Sequence, residues 1–277
     1  MFLIKEKREL NPTVTLMVLD APMIAKKAKA GQFVMVRADE HGERIPLTIA
    51  DNEAETGTLT IIFQVAGNTT RRLNALNVGE SILDVTGPLG QPTHYGDAQK
   101  VCVIGGGVGC AIAYPQAKTL YKAGAEVTVI AGFRSKDLVI LEDEMKAVSK
   151  RTIITTDDGS YGEQGFVTDK LRGLCEAGEK FDLVIAIGPL PMMKFVSKLT
   201  EELGIPTIVS LNPIMIDGTG MCGGCRVTVG GQLKFACVDG PDFDGHQVDY
   251  DELMKRNSAF RREEQAHVCR IGGSSHE

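Results

Sequence analysis

At 277 residues the chain is too long for one small core and predicts two domains with an appendage. Its 43% hydrophobic and 24% charged residues are ordinary for a water-soluble globular protein, and a formal net charge of −6 without a lysine–arginine cluster excludes nucleic acid as the main partner. No stretch approaches the about 18 apolar residues needed to cross a membrane. The N-terminal MFLIKEKREL lacks the apolar run of a signal peptide, and seven cysteines without framework spacing predict a reducing, cytoplasmic setting.

Residues 1–98 read as β-rich. TVTLMVLDAP, GQFVMVRAD, RIPLTIAD, TLTIIFQVAG and ESILDVTGPLG are short β-branched runs divided by Gly, Pro, Asn and Asp, which predicts a small antiparallel barrel or sandwich. GPLGQP ends the region as a boundary loop. From Lys100 strands alternate with helices: KVCVIGGGVG, CAIAYPQAKTLYKAG, AEVTVIAGF, LEDEMKAVS, RTIITTDDG, VTDKLRGLCEAG, FDLVIAIGP, PMMKFVSKLTEELG and PTIVSLN. That rhythm predicts a doubly wound parallel sheet over residues 99–211. Residues 212–277 break the pattern and carry Cys222, Cys225 and Cys237 in one glycine-rich stretch.

VIGGGVGCAIAY sets Gly105, Gly106, Gly107 and Gly109 between a strand and a helix. Glycines there let the backbone approach a phosphate, and a helix N-terminus adds free N–H groups. Later turns at strand ends, GFRS with Arg134, TTDDGSYGEQG with Asp157 and AIGPLPMM with Gly188 and Pro189, complete the expected dinucleotide pocket. No acidic residue ends the second strand to hold a ribose 2′-hydroxyl, so NAD(H) and NADP(H) both stay open. Cys102, Cys110 and Cys175 fall on strand or helix positions and read as small buried hydrophobes, whereas Cys269 in the charged tail reads as a free thiol.

A barrel carrying RIPLT, followed by an α/β domain with GGGVG and GPLPM, resembles the ferredoxin–NADP reductase family. With the cysteine tail, the chain is similar to its branch of small electron-transfer subunits. These serve dihydroorotate dehydrogenases and NADH-dependent ferredoxin:NADP oxidoreductases, the latter also called sulfide dehydrogenase beta subunits. The resemblance covers nearly the whole chain. It implies an FAD-binding barrel, an NAD(P)-binding α/β domain and a C-terminal [2Fe–2S] segment. The flavin motif falls on Ile45, Pro46, Leu47 and Thr48, with Arg44 one position before the family's usual diphosphate arginine. Ile62, Phe63 and Gln64 match the next flavin segment, and Thr69 and Thr70 in GNTT match its diphosphate contacts. Thr48 is the residue expected to hydrogen-bond near flavin N5.

A zinc or [2Fe–2S] site wants four protein ligands, and three cysteines are one short. Counting four residues back from Cys222, as in the plant-type C-x4-C-x2-C…C pattern, gives Asp217, hence D-x4-C-x2-C-x11-C. A carboxylate is harder than thiolate and would change the cluster's potential. Ferredoxin:NADP oxidoreductase relatives use an aspartate here, which favours that branch. Two other readings stand beside it: Asp217 as a turn-former, and a zinc knuckle completed by His246.

The resemblance implies a subunit that passes electrons between a nicotinamide dinucleotide, FAD and a [2Fe–2S] cluster. Its implied partner is a larger flavoprotein with [4Fe–4S] clusters, in a complex that couples NADPH oxidation to reduction of NAD and ferredoxin by bifurcation. The alternatives are the electron-transfer subunit of an NAD-dependent dihydroorotate dehydrogenase, a self-sufficient flavin reductase, and a non-catalytic dinucleotide sensor with structural zinc. The tail YDELMKRNSAFRREEQAHV reads as a charged surface helix.

Overall fold

The computed structural model describes residues 1–260, 263 and 266; Cys269 and the end of the charged tail lie outside the described residues. Strands β1 (Phe2–Asn11), β2 (Val14–Asp20), β3 (Phe33–Arg37), β4 (Ile45–Glu53), β5 (Thr58–Gln64), β6 (Ser81–Ile82) and β7 (Asp84–Leu89) form one antiparallel sheet. Its order, β6-β1-β2-β5-β4-β3-β7, curls into a near-closed barrel. Helices α1 (Pro22–Ala25) and α2 (Asn68–Ala75) are its short insertions. The sequence reading passes over β1 because its side chains are mostly charged or exposed, with only Ile4 buried.

Alternation along the strands sends residues to two different cores. Met17 and Leu19 of β2, with Leu59, Ile61 and Phe63 of β5, fill the barrel. Their even-numbered neighbours Val14, Leu16 and Ile62 point outward into a second core. That core is shared with α3 (Cys110–Lys122), which supplies Ala113, Ala117 and Leu120. The barrel therefore docks onto α3 through its own outer face.

After β8 (Lys100–Gly106) and α3 come β9 (Glu126–Phe133), α4 (Glu142–Ala147), β10 (Arg151–Thr156), β11 (Glu163–Gln164) and α5 (Val167–Glu176). Next follow β12 (Leu183–Ile187), α6 (Leu190–Glu202) and β13 (Thr207–Ser210). The seven-stranded sheet runs β11-β10-β9-β8-β12-β13-β16, parallel except for its last strand, β16 (Asp242–Asp244). Strand order reverses between β8 and β12, and a crevice opens beyond the carboxyl ends of such strands. Cys102 and Cys110 are fully buried and Cys175 half-buried, as read from the sequence, and burial pushes all three thiols up.

The C-terminal segment is more integrated than its break in pattern suggested. It forms a hairpin of β14 (Arg226–Val229) and β15 (Gln232–Phe235), then α7 (Ala236–Asp239), β16 (Asp242–Asp244) and α8 (Tyr250–Asn257). Strand β16 pairs antiparallel with β13, Ser210 opposite Asp242, and becomes an edge of the large sheet. Cys225, Val227, Ala236, Cys237 and Leu253 join the core built from α5 and α6, and Phe33 and Met35 of the barrel reach the same core. No helix among the described residues is long and apolar enough to cross a membrane.

Candidate functional site

Strand β8 ends on Gly105 and Gly106, a single 3-10 turn covers Gly107–Gly109, and α3 begins at Cys110. Gly107 has φ +55°, a conformation that side-chain-bearing residues rarely adopt. Gly109 is required for a different reason: a Cβ there would meet the carbonyl oxygen of Ile187 at 2.4 Å and Gly188 Cα at 2.8 Å. The turns after β8 and β12 are thus packed backbone to backbone at the switch point.

Over them lies a cavity of about 1020 Å³. Gly106, Gly107 and Gly109 line it, as do Arg134 after β9, Asp157 after β10, and Gly188 and Pro189 after β12. Gln64 reaches it from the end of β5. Sequence reasoning missed Phe166 just before α5, Arg172 on α5, and Phe195 and Lys198 on α6. Phe166 and Phe195 are 64% and 62% exposed, two bare phenylalanines lining the cavity. Arg172 is paired to Glu202 at 3.3 Å. A glycine-floored crevice of this size, with cations at its rim, fits a dinucleotide.

The flavin motif opens β4. Pro46 lies opposite Met35 and Thr48 opposite Phe33 on β3. Arg44 is half exposed and stands 3.9 Å from Asp84, whose carboxylate is already held by Arg37 Nε at 2.8 Å. Ile62 and Phe63 are buried in the two cores, so those positions present backbone rather than side chain, while Gln64 is exposed. GNTT starts α2. Thr70 Oγ1 accepts the N–H groups of Ala66 and Gly67 at 3.0 Å each, and Thr69 Oγ1 donates to Glu43 at 3.3 Å. The two hydroxyls thus shape the turn, and the free N–H groups of the α2 N-terminus are the donors left for a diphosphate.

The cysteine loop is built on glycines with positive φ: Gly218 (+77°), Gly220 (+83°) and Gly223 (+65°). Cys225 and Cys237 are buried with their sulfurs 3.2 Å apart. Cys222 is exposed, and its sulfur accepts the N–H of Gly224 at 3.4 Å. Asp217 accepts Thr219 N and Cys222 N at 3.0 Å each, and these donors, Thr219 first, hold its carboxyl below the usual range. Burial, then contact with Cys225, pushes the Cys237 thiol up to about 12. Asp217, Cys222 and Cys225 come from the glycine-rich loop and Cys237 from α7; of the three thiols the structure brings only Cys225 and Cys237 into contact, and the set fits an iron–sulfur cluster in donor chemistry. His246 is elsewhere: it hydrogen-bonds Thr200 at 3.0 Å beyond the end of β16 that pairs with the start of β13, while Cys237 precedes the opposite end.

Residues 212–249 match the iron–sulfur cluster binding domain of dihydroorotate dehydrogenase B, and residues 103–198 match the oxidoreductase NAD-binding domain. A Thermotoga maritima homologue of the dihydroorotate dehydrogenase B electron transfer subunit is 50% identical, over 89% of this chain and 86% of its own length. The corresponding Streptococcus mutans subunit is 35% identical over 88% and 96%. The chain belongs to the family of dihydroorotate dehydrogenase B electron transfer subunits and their homologues. A solved structure of an NADH-dependent reduced ferredoxin-NADP oxidoreductase, described for flavin-based electron bifurcation, superposes with a TM-score of 0.92 at 46% identity over 98% of both chains. The protein is thus an oxidoreductase subunit with NAD-binding and iron–sulfur domains on a ferredoxin-reductase-like fold.

Proposed function

We propose that this chain is the small subunit of an NADH-dependent ferredoxin:NADP oxidoreductase, moving electrons between NAD(H), FAD and a [2Fe–2S] cluster beside a larger flavin and [4Fe–4S] subunit. The observation that carries this reading is the seat of the cysteine loop. A Cβ on Gly218 would lie 2.7 Å from Met35 Cγ, and Met35 is paired with Pro46 of the flavin motif. Asp217 and its loop therefore press on the strand pair that presents Thr48, while the dinucleotide crevice approaches from the other domain.

Bound in these places, flavin supplies exchange between a hydride pair and single electrons, and the cluster supplies one-electron storage. The chain's own residues position and exclude. Gly106, Gly107 and Gly109 admit the pyrophosphate against backbone N–H groups, Arg134 neutralises its charge, and Thr48 orients the flavin edge. Asp217, Cys222, Cys225 and Cys237 hold iron, and the buried pair Cys225 and Cys237 keeps water from one side. A cytoplasmic setting goes with ligands that must stay as free thiolates.

Anaerobic purification tests this. About two irons and two acid-labile sulfides per chain, with flavin absorbance, are expected. One zinc without sulfide would overturn it. The relatives' names favour a second reading, service to a dihydroorotate dehydrogenase, and the large subunit that co-purifies decides between the two.

A further inference from the structure

Asp242 opens β16, opposite Ser210. Part of the residue reaches solvent, yet its Oδ1 is enclosed and is the buried side-chain N or O atom among the described residues that lacks any hydrogen-bond partner. Its Oδ2 accepts the Thr93 hydroxyl at 2.5 Å and the Gln116 amide at 3.2 Å. The same amide donates to Thr93 Oγ1 at 2.7 Å, and the Gln116 carbonyl accepts the Tyr95 phenol.

Three parts of the molecule converge on this carboxyl. Thr93 and Tyr95 come from the connection after the barrel, Gln116 from α3, and Asp242 from the cysteine-bearing segment. The junction is tight: a Cβ on Gly31, at φ +88°, would stand 2.2 Å from Thr93 Oγ1 and 3.0 Å from Asp242 Oδ2. Gln91 fastens it further, its backbone N–H donating to Gly240 O at 2.6 Å and its side chain to Val238 O at 2.9 Å.

The groups facing Asp242 are the hydroxyls of Thr93 and Ser210 and the amide of Gln116, with the Tyr95 phenol beyond them as the titratable neighbour. No cation is among them. An enclosed carboxylate with no countercharge, faced by neutral hydroxyls and an amide alone, is strongly disfavoured. A carboxylic acid carrying its proton on Oδ1 needs no donor there. Burial raises the Asp242 pKa, with Ser210, Thr93 and Gln116 pulling the other way, and it keeps the Tyr95 phenol protonated.

We propose that Asp242 is a proton-gated latch: carried as the neutral acid, it fastens the cysteine-bearing segment to the barrel connection and to α3. Loss of its proton loosens that junction. Ser210 also lines the dinucleotide cavity, so the state of the latch is felt at the cavity wall. The inference holds whichever acceptor the subunit serves.

The sign follows from linkage. The fold binds this proton more tightly than the unfolded chain, so stability falls as pH rises from the ordinary Asp value to the raised folded value, then levels. The full chain and its Asp242→Asn variant, an amide of the same shape, are compared by infrared spectroscopy and thermal unfolding across pH. A protonated-carboxyl band is expected in the native protein at neutral pH and is lost in D242N. The melting temperature of D242N relative to native rises with pH over that window. Amide protection of Gln91 falls in the native protein as the band disappears, but not in D242N. Should D242N fail to fold, infrared titration of the native chain alone decides. Absence of the band at neutral pH, its persistence in D242N, or a melting difference independent of pH would each overturn the latch.

Discussion

The carboxylate of Asp217 accepts the backbone N–H of Cys222, Oδ2 to N at 3.0 Å, while its other oxygen accepts Thr219 N at the same distance. The first two members of the D-x4-C-x2-C spacing are therefore bound into one turn, and the acid is kept ionised. Turn-forming and iron-ligating are compatible roles, since a carboxylate offers about four lone-pair sites.

Asp217→Asn separates the two roles. The amide keeps one acceptor oxygen, hence one of the two N–H contacts, but loses the charge with which Asp217 would ligate iron. Iron and sulfide per chain are expected to fall well below two each, with the melting temperature of the metal-free chain lowered only by the loss of one exposed hydrogen bond. Full cluster content in this variant would reduce Asp217 to a turn-former.

Gly109→Ala forces a methyl against Ile187 O at 2.4 Å, and the obstacle is backbone, which has little room to yield. A loss of about 1–3 kcal/mol in stability is expected, read by chemical denaturation. Dinucleotide binding weakens with it, because the same contact sets the spacing of the turns after β8 and β12. Gly124→Ala, at φ +90° with no neighbour within reach, tests backbone strain alone away from the cavity.

Arg134→Ala removes a cavity-lining cation that follows β9. A charge-assisted hydrogen bond contributes about 1.5–3 kcal/mol, so a roughly tenfold or greater rise in dinucleotide Kd is expected. The flavin-reduction rate at saturation should be unchanged, as should the iron content. Stopped-flow reduction at varied NADH separates the two terms.

Asp182 accepts the backbone N–H groups of Lys100 and Gln99 at 2.8 and 2.9 Å, and these donors hold its carboxyl below the ordinary range. Its contribution is present above the unfolded value and is lost as pH falls through the depressed folded value. Asp182→Asn is therefore expected to melt lower than native at neutral pH, and the gap should close in acid. Paired melting curves from neutral pH downward check this; a gap that widens in acid contradicts it.

Much of the architecture was legible because it is written in period. Strands β8, β9 and β12 are continuous buried runs between glycine turns, and each helix from α3 to α6 fell where the rhythm placed it. The dinucleotide cavity was legible for a related reason: Gly106, Arg134, Asp157 and Gly188 all stand at strand ends, where the fold class puts its ligand. What escaped was long-range. Nothing in DFD announces that Asp242–Asp244 will edge the large sheet, because a three-residue strand has no period to read. Phe166 and Phe195 escaped because exposure, not residue type, makes them unusual. Thr69 and Thr70 were legible as a turn, but which atoms their hydroxyls would meet was decided by Glu43, Ala66 and Gly67.

The antiparallel pairing of β16 with β13 bears on how such a chain could arise and be divided. Severing it after Leu211 would strip Thr207–Ser210 of its outer neighbour and undo the hydrogen bond shared by Ser197 and Tyr250 at 2.8 Å. The remainder would carry a bare strand edge, open to pairing with its own kind. Cluster loop and reductase scaffold are therefore joined through one shared sheet edge, and a version of this chain trimmed of the cysteine segment would have to cover Thr207–Ser210 by other means.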